Sequence, residues 1–265
     1  MRVAFQGEIG AYSQEAIQLL EGSSAEPLPR RTFREAFQAV ADGAADLAVV
    51  PIENSIAGSV IETQDLLLEF PFFITGEAVV RVRHCLLTRE AHPHASVKTV
   101  HSHPQALAQC SRFIEANNLE PWPEFDTAGS AKLLSEGAFA PGAAAIASRL
   151  AGSIYGLHVL VEGIENRENH TRFYRVGPSA LANVGHKTAI AIAIPNAPGQ
   201  LSRALASFAQ RNINIHRLHS RPDPTQPWSY IFHLEFEGTP LNESCSQALA
   251  DLREVANMVR NFGSF

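Results

Sequence analysis

Cysteine is scarce here. The 265 residues include three, Cys85, Cys110 and Cys245, and no CxxC pair. An odd, scattered set of thiols argues against a disulfide framework and fits a reduced, cytoplasmic protein. Long apolar runs are missing as well. No stretch approaches the roughly 20 residues of a membrane span. The opening MRVAFQGEIG has no basic segment followed by an apolar one, so no signal peptide is expected either. Basic runs are absent and the net charge is −6, which argues against nucleic acid as a partner. An anionic ligand would then have to be drawn by a local cluster of Arg, Lys and helix N-termini, because the field of the whole chain opposes it.

What is present is an ordinary globular composition, 45% apolar and 18% charged, in a chain long enough for two or three domains. Up to about residue 180 short apolar segments alternate with helical patterns. RVAFQG (2–7) reads as a strand, with a helix opened by Ser13 and running to Leu20. TFREAFQAVADG carries a capping box, Thr32 with Glu35, ahead of apolar positions at helical spacing. DLAVVP (46–51) reads as a strand ended by Pro51, FFITGEAVVRVRHCLLT (72–88) as a pair of strands, and VKTVHS (97–102) as another. HPQALAQCSRFIEAN reads as one helix, then AAAIAS (143–148) and HVLVEG (158–163) as strands. This rhythm predicts an α/β domain with a largely parallel sheet. VGPSALANVGHK (176–187) has the composition of a linker. Beyond it the order becomes strand, helix, strand, strand, helix, with RNFGSF as a last strand, which predicts a ferredoxin-like βαββαβ unit. Internal repeats are absent.

Polar and small residues collect at four strand-to-helix junctions: GEIGAYS (7–13), PIENSIAGS (51–59), HSHPQ (101–105) and FDTAGSAK (125–132). In open α/β sheets ligands sit beyond the carboxyl ends of strands, where helix N-termini present free N–H groups. Ser13, Ser55 or Ser59, Ser102 and Thr127 can each be a helix cap. Together the four junctions predict an anion-binding cleft. Gly7 and Gly10 do not make a dinucleotide fingerprint, since a third glycine and a later ribose acid are missing, and no Walker lysine motif exists. The His-x-His pairs at 92/94 and 101/103 lack a third ligand, so no metal is expected. Gln105 and Gln109 stand one helical turn apart, as surface glutamines also would. ENHTRF (168–173), read as a strand, puts Thr171 and Phe173 on one face and Arg172 on the other.

Taken together, FQGEIGAYS, VVPIENSIAGSV, VHSHPQALAQC, DTAGSAK, AAIAS with YGLHVL, and NHTRF resemble the prephenate dehydratase family in content and order, over residues 1–176. PGQLSRALASFAQRNINIHRLHSRP resembles the ACT regulatory domain that follows in that family. The resemblance implies an α/β catalytic domain built like a type 2 periplasmic binding protein, residues 1–180. One lobe is expected at 1–76 with 162–176 and the other at 77–161, with an ACT domain at 187–265. It implies decarboxylating dehydration of prephenate to phenylpyruvate, on the way to L-phenylalanine, with no cofactor. It also implies a homodimer or homotetramer.

By the same resemblance Thr171 contacts the leaving hydroxyl, Arg172 and Lys132 hold carboxylates, and Phe173 walls the ring. Ser13, Glu53, Asn54, Ser55, Ser102, His103, Gln105, Gln109, Thr127 and Asn169 line the substrate, with water, His103 or Glu53 as proton source. Phenylalanine is the implied effector, at Gly199, Gln200, Leu201, Asn214, His219, Ser220, Arg221 and Pro222. Gln200 and His219 depart from the family's usual small residue and acid. They alter pocket volume and charge, enough to erase or invert a coupling of ~1–3 kcal/mol. A structural dimerisation module is the competing reading of this domain. The chain opens directly on RVAF, as a form without a chorismate mutase domain would. Three readings compete for the first domain: an arogenate dehydratase, a solute-binding or sensor protein, and, last, a metal hydrolase. Thr171 within NHTRF discriminates against the binder, which needs no such motif.

Overall fold

The computed structural model describes residues 1–91, 96–179, 185–223 and 225–265. The elements are β1 (Arg2–Gln6), α1 (Tyr12–Glu21), β2 (Glu26–Arg30), α2 (Phe33–Ala41), β3 (Leu47–Asn54), β4 (Gly58–Ser59), α3 (Ile61–Glu69) and β5 (Phe73–Arg81). There follow β6 (Cys85–Thr88), β7 (Thr99–Ser102), α4 (Pro104–Gln109), α5 (Ser111–Ala116), β8 (Glu120–Pro123) and α6 (Thr127–Ser135). β9 (Ala143–Ala147), α7 (Arg149–Ile154), β10 (His158–Glu162) and β11 (His170–Gly177) come next. The chain ends with β12 (Lys187–Ala193), α8 (Gln200–Ala209), β13 (Ile215–Pro222), β14 (Tyr230–Glu237), α9 (Glu243–Val255) and β15 (Met258–Ser264). Two compact units result: Met1–Thr63 with Ala78–Phe173, and Gln64–Glu77 with Tyr174–Phe265. Of the expected linker, 180–184 lies outside the described residues, as does the His92/His94 pair, while Val176 and Gly177 belong to β11.

Two sheets serve the first unit, ordered β2-β1-β3-β11-β5, with β4 on β3, and β10-β6-β9-β7-β8. They are mixed where a largely parallel sheet was expected: β1 runs parallel to β2 and β3, and β7 to β8 and β9, while β6 is antiparallel to β9 and β10. Both outer strands, β2 (EPLPR) and β8 (EPWP), carry two prolines and were not expected as strands. Their prolines alternate, and alternation is what makes them possible. Glu26 N–H donates to Met1 and Glu120 N–H to Lys98, so in a period-two strand the residues facing inward are those with an N–H. Pro27, Pro29, Pro121 and Pro123 turn toward the open edge, where a missing donor costs no ladder bond. Pro51 likewise does not end its strand. β3 continues through it to Asn54.

Helix caps also differ from expectation. α2 begins as the capping box predicts, with Thr32 Oγ accepting from Glu35 N–H. Ser13, however, lies inside α1, Asp126 and not Thr127 caps α6, and His103 caps α4. The single expected helix at 103–117 is two short ones meeting at Cys110. β9 is AAAIA and wholly buried. Its small side chains let Ala128, Ala131 and Ala151 of α6 and α7 pack on the sheet beside Leu87 and Leu134.

Gly10, in the loop after β1, has φ +91, and a Cβ there would stand 2.8 Å from Ala151 Cα. The loop is tied down beside it: Ser148 Oγ donates to Gly10 O at 2.7 Å and Tyr155 Oη to Ile9 O at 2.8 Å. Gly10→Ala is therefore expected to lower the unfolding free energy by more than about 1 kcal/mol, from backbone strain and overlap together. Denaturant unfolding reads this directly, and an unchanged midpoint would contradict the packing.

In the second unit β12-α8-β13-β14-α9-β15 forms an antiparallel sheet ordered β13-β14-β12-β15, the expected ferredoxin-like βαββαβ. Ile190, Ile192, Leu234 and Phe236 pack against Ala204 and Phe208 of α8 and Ala248, Leu249 and Leu252 of α9.

Candidate active site

β3 ends at Asn54 and β11 begins at His170, side by side: Ser55 N–H donates to His170 O at 2.8 Å, and His170 N–H to Ser55 Oγ at 2.9 Å. Two backbone donors fix the Asn54 side chain. Its Oδ1 accepts from Ile56 N–H (3.0 Å) and Ala57 N–H (2.9 Å). The other end of the amide must then be NH₂, and its two hydrogens go to Asn169 Oδ1 at 2.7 Å and Thr171 Oγ1 at 2.8 Å. Thr171 Oγ1 is an acceptor toward Asn54, so its own hydrogen is left for another partner. Beside it lies a 130 Å³ pocket lined by Tyr12, Asn54, Val82, His84, His103, Gln105, Gln109, Thr127, Asn169 and Thr171 among others. No carboxylate is in that lining. The hydroxyl hydrogen of Thr171 can be offered to an oxygen held in the pocket.

Gln105 and Gln109 also line an adjoining 210 Å³ pocket with Ile56, Ala57, Ala108, Asn166 and Arg167. Glu8, Arg30, Arg31 and Asp126 line a third, of 430 Å³. His103 Nδ1 accepts from Gln105 N–H at 3.2 Å, which leaves the ring hydrogen on Nε2. Burial pushes the Asp126 carboxyl upward, the nearby Glu8 adding to the shift.

Asn54, Ser55, Asn169 and Thr171 are thus brought together, with His103, Gln105, Gln109 and Thr127 around the same pocket. Others of the expected residues are not in it. Ser102 is wholly buried and spends its hydroxyl on Ile146 O at 2.6 Å, the chain's way of joining β7 to β9. Ser13 is in the first turn of α1 and outside the pocket lining. Phe173 is on the Thr171 face of β11 but two residues further along, where that face has left the cleft and entered the core with Val3, Phe5, Ile17 and Val80. Arg172, on the opposite face, binds Glu53 Oε2 at 3.0 Å, and Lys132 binds Glu8 Oε2 at 2.8 Å. Both expected carboxylate holders are therefore already opposed by a carboxylate.

Tyr12, His84 and Arg167 are among the lining residues that were not expected. Tyr12 stood unremarked in the junction 7–13, His84 read as a strand residue, and Arg167 sits in a loop with no motif. A histidine inside the apolar strand pair at 72–88 was the available signal.

Glu15, on α1, has its carboxyl pushed up to about 7 by burial. The folded chain then holds a proton that the unfolded chain releases near 4.5, so stability falls as pH rises between those values and levels off above. The slope is about 1.4 kcal/mol per pH unit at most. Glu15→Gln should flatten that part of the curve in chemical denaturation across pH. An unchanged curve would refute the assignment.

The eight residues expected for an effector all lie in the second unit. Gly199 caps α8 in the left-handed region with φ 80, and Gln200 starts that helix. Leu201 lines a 90 Å³ pocket with Ile194, Tyr230 and Phe232. Asn214 Nδ2 stands 3.4 Å from His216 Nδ1, and His219 lies across from His233. Ser220 precedes Arg221, which forms a two-pronged pair with Asp65; Arg221 and Pro222 line a separate 860 Å³ cavity.

The fold and pocket define an α/β protein with an uncharged hydrogen-bonding cleft and an appended βαββαβ module. Residues 3–180 match the prephenate dehydratase family, and the chain belongs to it. It is a dehydratase of that family. Over its whole length it is 37% identical to "Arogenate dehydratase/prephenate dehydratase 2, chloroplastic" of Arabidopsis thaliana, covering 72% of that protein. It is 33% identical to a bifunctional chorismate mutase/prephenate dehydratase of Stutzerimonas stutzeri, covering 73% of it. Among solved structures, prephenate dehydratase from Arthrobacter aurescens in complex with L-Phe superposes with a TM-score of 0.90 at 31% identity, over 100% of this chain and 90% of that one. A protein described as a quorum-quenching acylase superposes at 0.91 and 35% identity, over 99% and 97%. Among the described residues no helix is long and apolar enough to cross a membrane.

Proposed function

We propose that residues 1–180 convert prephenate to phenylpyruvate at the Thr171 pocket, and that residues 187–265 sense L-phenylalanine. The observation that carries the first part is the Asn54 amide, pinned by two backbone donors and donating to Thr171 Oγ1. In the reaction the bond between the ring and its carboxylate breaks, its electron pair aromatises the ring, and the C–OH bond opposite breaks. One proton joins the departing oxygen to give water, and carbon dioxide leaves. Aromatisation supplies the driving force, so the protein needs to hold the dianion and help one hydroxyl depart.

Thr171 donates its hydrogen bond to that hydroxyl and orients it. An alkyl hydroxyl is too weak an acid to protonate it alone. His103, with its ring hydrogen on Nε2 and its ring at the pocket, can orient the departing oxygen or a water beside it, and the proton comes from solvent water. Glu53, committed to Arg172, is a poorer source. Arg167 lines the adjoining pocket, and among the described residues it has no ion pair or hydrogen-bond partner, so it is assigned to one substrate carboxylate.

The L-Phe complex of the Arthrobacter aurescens protein supports phenylalanine as the effector. In this chain the separation of Leu201 from Arg221 and Pro222 suits a site completed by a second copy, hence a homo-oligomer. The three cysteines are buried and unpaired, which suits a reducing, cytoplasmic setting.

The test is phenylpyruvate formation by the purified chain, with arogenate assayed in parallel and phenylalanine titrated into each. A higher kcat/KM on prephenate supports the reading. Preference for arogenate would move the assignment to that substrate, and indifference to phenylalanine would leave the second domain structural.

A further inference from the structure

Beyond Asn54 the hydrogen bonds continue in one direction, and the donors can be assigned link by link. The Asn54 NH₂ makes Asn169 Oδ1 an acceptor, at 2.7 Å. The other end of that amide is therefore NH₂, and it donates to Gln109 Oε1 at 3.1 Å. The same oxygen stands 3.0 Å from His84 Nε2. Two acceptors cannot face each other at that distance, so His84 carries its hydrogen on Nε2. Nδ1 is left as an acceptor, 3.0 Å from the Tyr12 hydroxyl, whose single hydrogen is shared between it and Arg83 O at 2.9 Å, so the tautomer is set from the Gln109 side. Tyr12 further holds the imidazole edge-on, centroids 5.6 Å apart at 76°.

The ring is 2% exposed. Burial holds it below its ordinary pKa and so keeps it neutral. With the opposite tautomer, Gln109 would have to turn its NH₂ to His84. Asn169 would then face an amide nitrogen, and the chain would break one link from Asn54.

We propose that His84 is a positioning residue for Thr171: its Nε2–H, donated to Gln109 Oε1, holds the Gln109 and Asn169 amides so that Asn169 Oδ1 steadies, from the cleft side, the Asn54 NH₂ that donates to Thr171. This rests on the role proposed for Thr171, and it assigns catalytic consequence to a residue that need not touch the reacting atoms.

His84→Leu removes the donor and His84→Gln restores an N–H at the Nε2 position. The leucine variant is expected to lose roughly tenfold or more in kcat, the net worth of about one hydrogen bond, with KM little changed. The glutamine variant should recover to within about threefold of the parent. A purely structural role predicts lowered thermal stability in both, with kcat per folded molecule unchanged, and that result would overturn the proposal.

Should the leucine variant fail to fold, the nitrogen-15 spectrum of the unmutated chain decides. The His84 ring must show a protonated Nε2 and an unprotonated Nδ1 at neutral pH. A hydrogen on Nδ1 overturns the proposal. That spectrum does not depend on turnover, so failure here is distinguishable from failure of the dehydratase reading, which Thr171→Val reports.

Discussion

Thr171→Val is expected to lose about 10²–10⁴-fold in kcat, the usual worth of acid assistance, while prephenate binding changes little. Valine keeps the β-branched shape that a strand favours and removes only the hydroxyl. Thr171 is 9% exposed and lies at the start of β11, in the lining of the pocket. The loss should therefore fall on the step in which the hydroxyl departs. Steady-state kinetics with a separate measurement of substrate affinity separates the two terms. A large rise in KM at unchanged kcat would make Thr171 a binding residue instead.

Asn54→Asp is the sharper test, with an expected loss of similar size. The carboxylate has the amide's shape, and one oxygen can still accept from Ile56 and Ala57 N–H. The loop after β3 should therefore keep its form. The other oxygen replaces a donor with an acceptor at 2.8 Å from Thr171 Oγ1 and 2.7 Å from Asn169 Oδ1. Thr171 then gives its hydrogen to the introduced carboxylate and none is left for the substrate, while Asn169 turns over and the contact to Gln109 is lost. Activity near that of the parent would show that the direction of the Thr171 hydroxyl does not matter.

The sequence made the order of the domains legible because it rests on periodicity and turn chemistry, both local. The βαββαβ module and the capping box at Thr32 follow from short segments alone. β2 and β8 were invisible for an equally physical reason. Proline weighs against a strand unless it is known that the strand is an edge, and edges are decided by distant chain.

The site shows the same division. NHTRF pointed to Thr171, and PIENS to Asn54, yet alternation along β11 could not separate a face in the cleft from the same face deeper in the core, so Phe173 was misjudged. Ser102 looked like a cap or a ligand, and its actual partner, Ile146 O, is 44 residues away. Nothing local could report that Arg172 and Lys132 would each meet a carboxylate. His84 was hidden by its apolar neighbours, which are what bury it.

The measurement that bears most directly on the account is the stoichiometry of one reaction: purified chain with prephenate, with phenylpyruvate and carbon dioxide determined together. Equal amounts of the two are predicted, formed at a rate that Thr171→Val lowers by about 10²-fold or more. Prephenate left intact, with arogenate also unchanged, would contradict a dehydratase at this pocket and leave it a binding cleft.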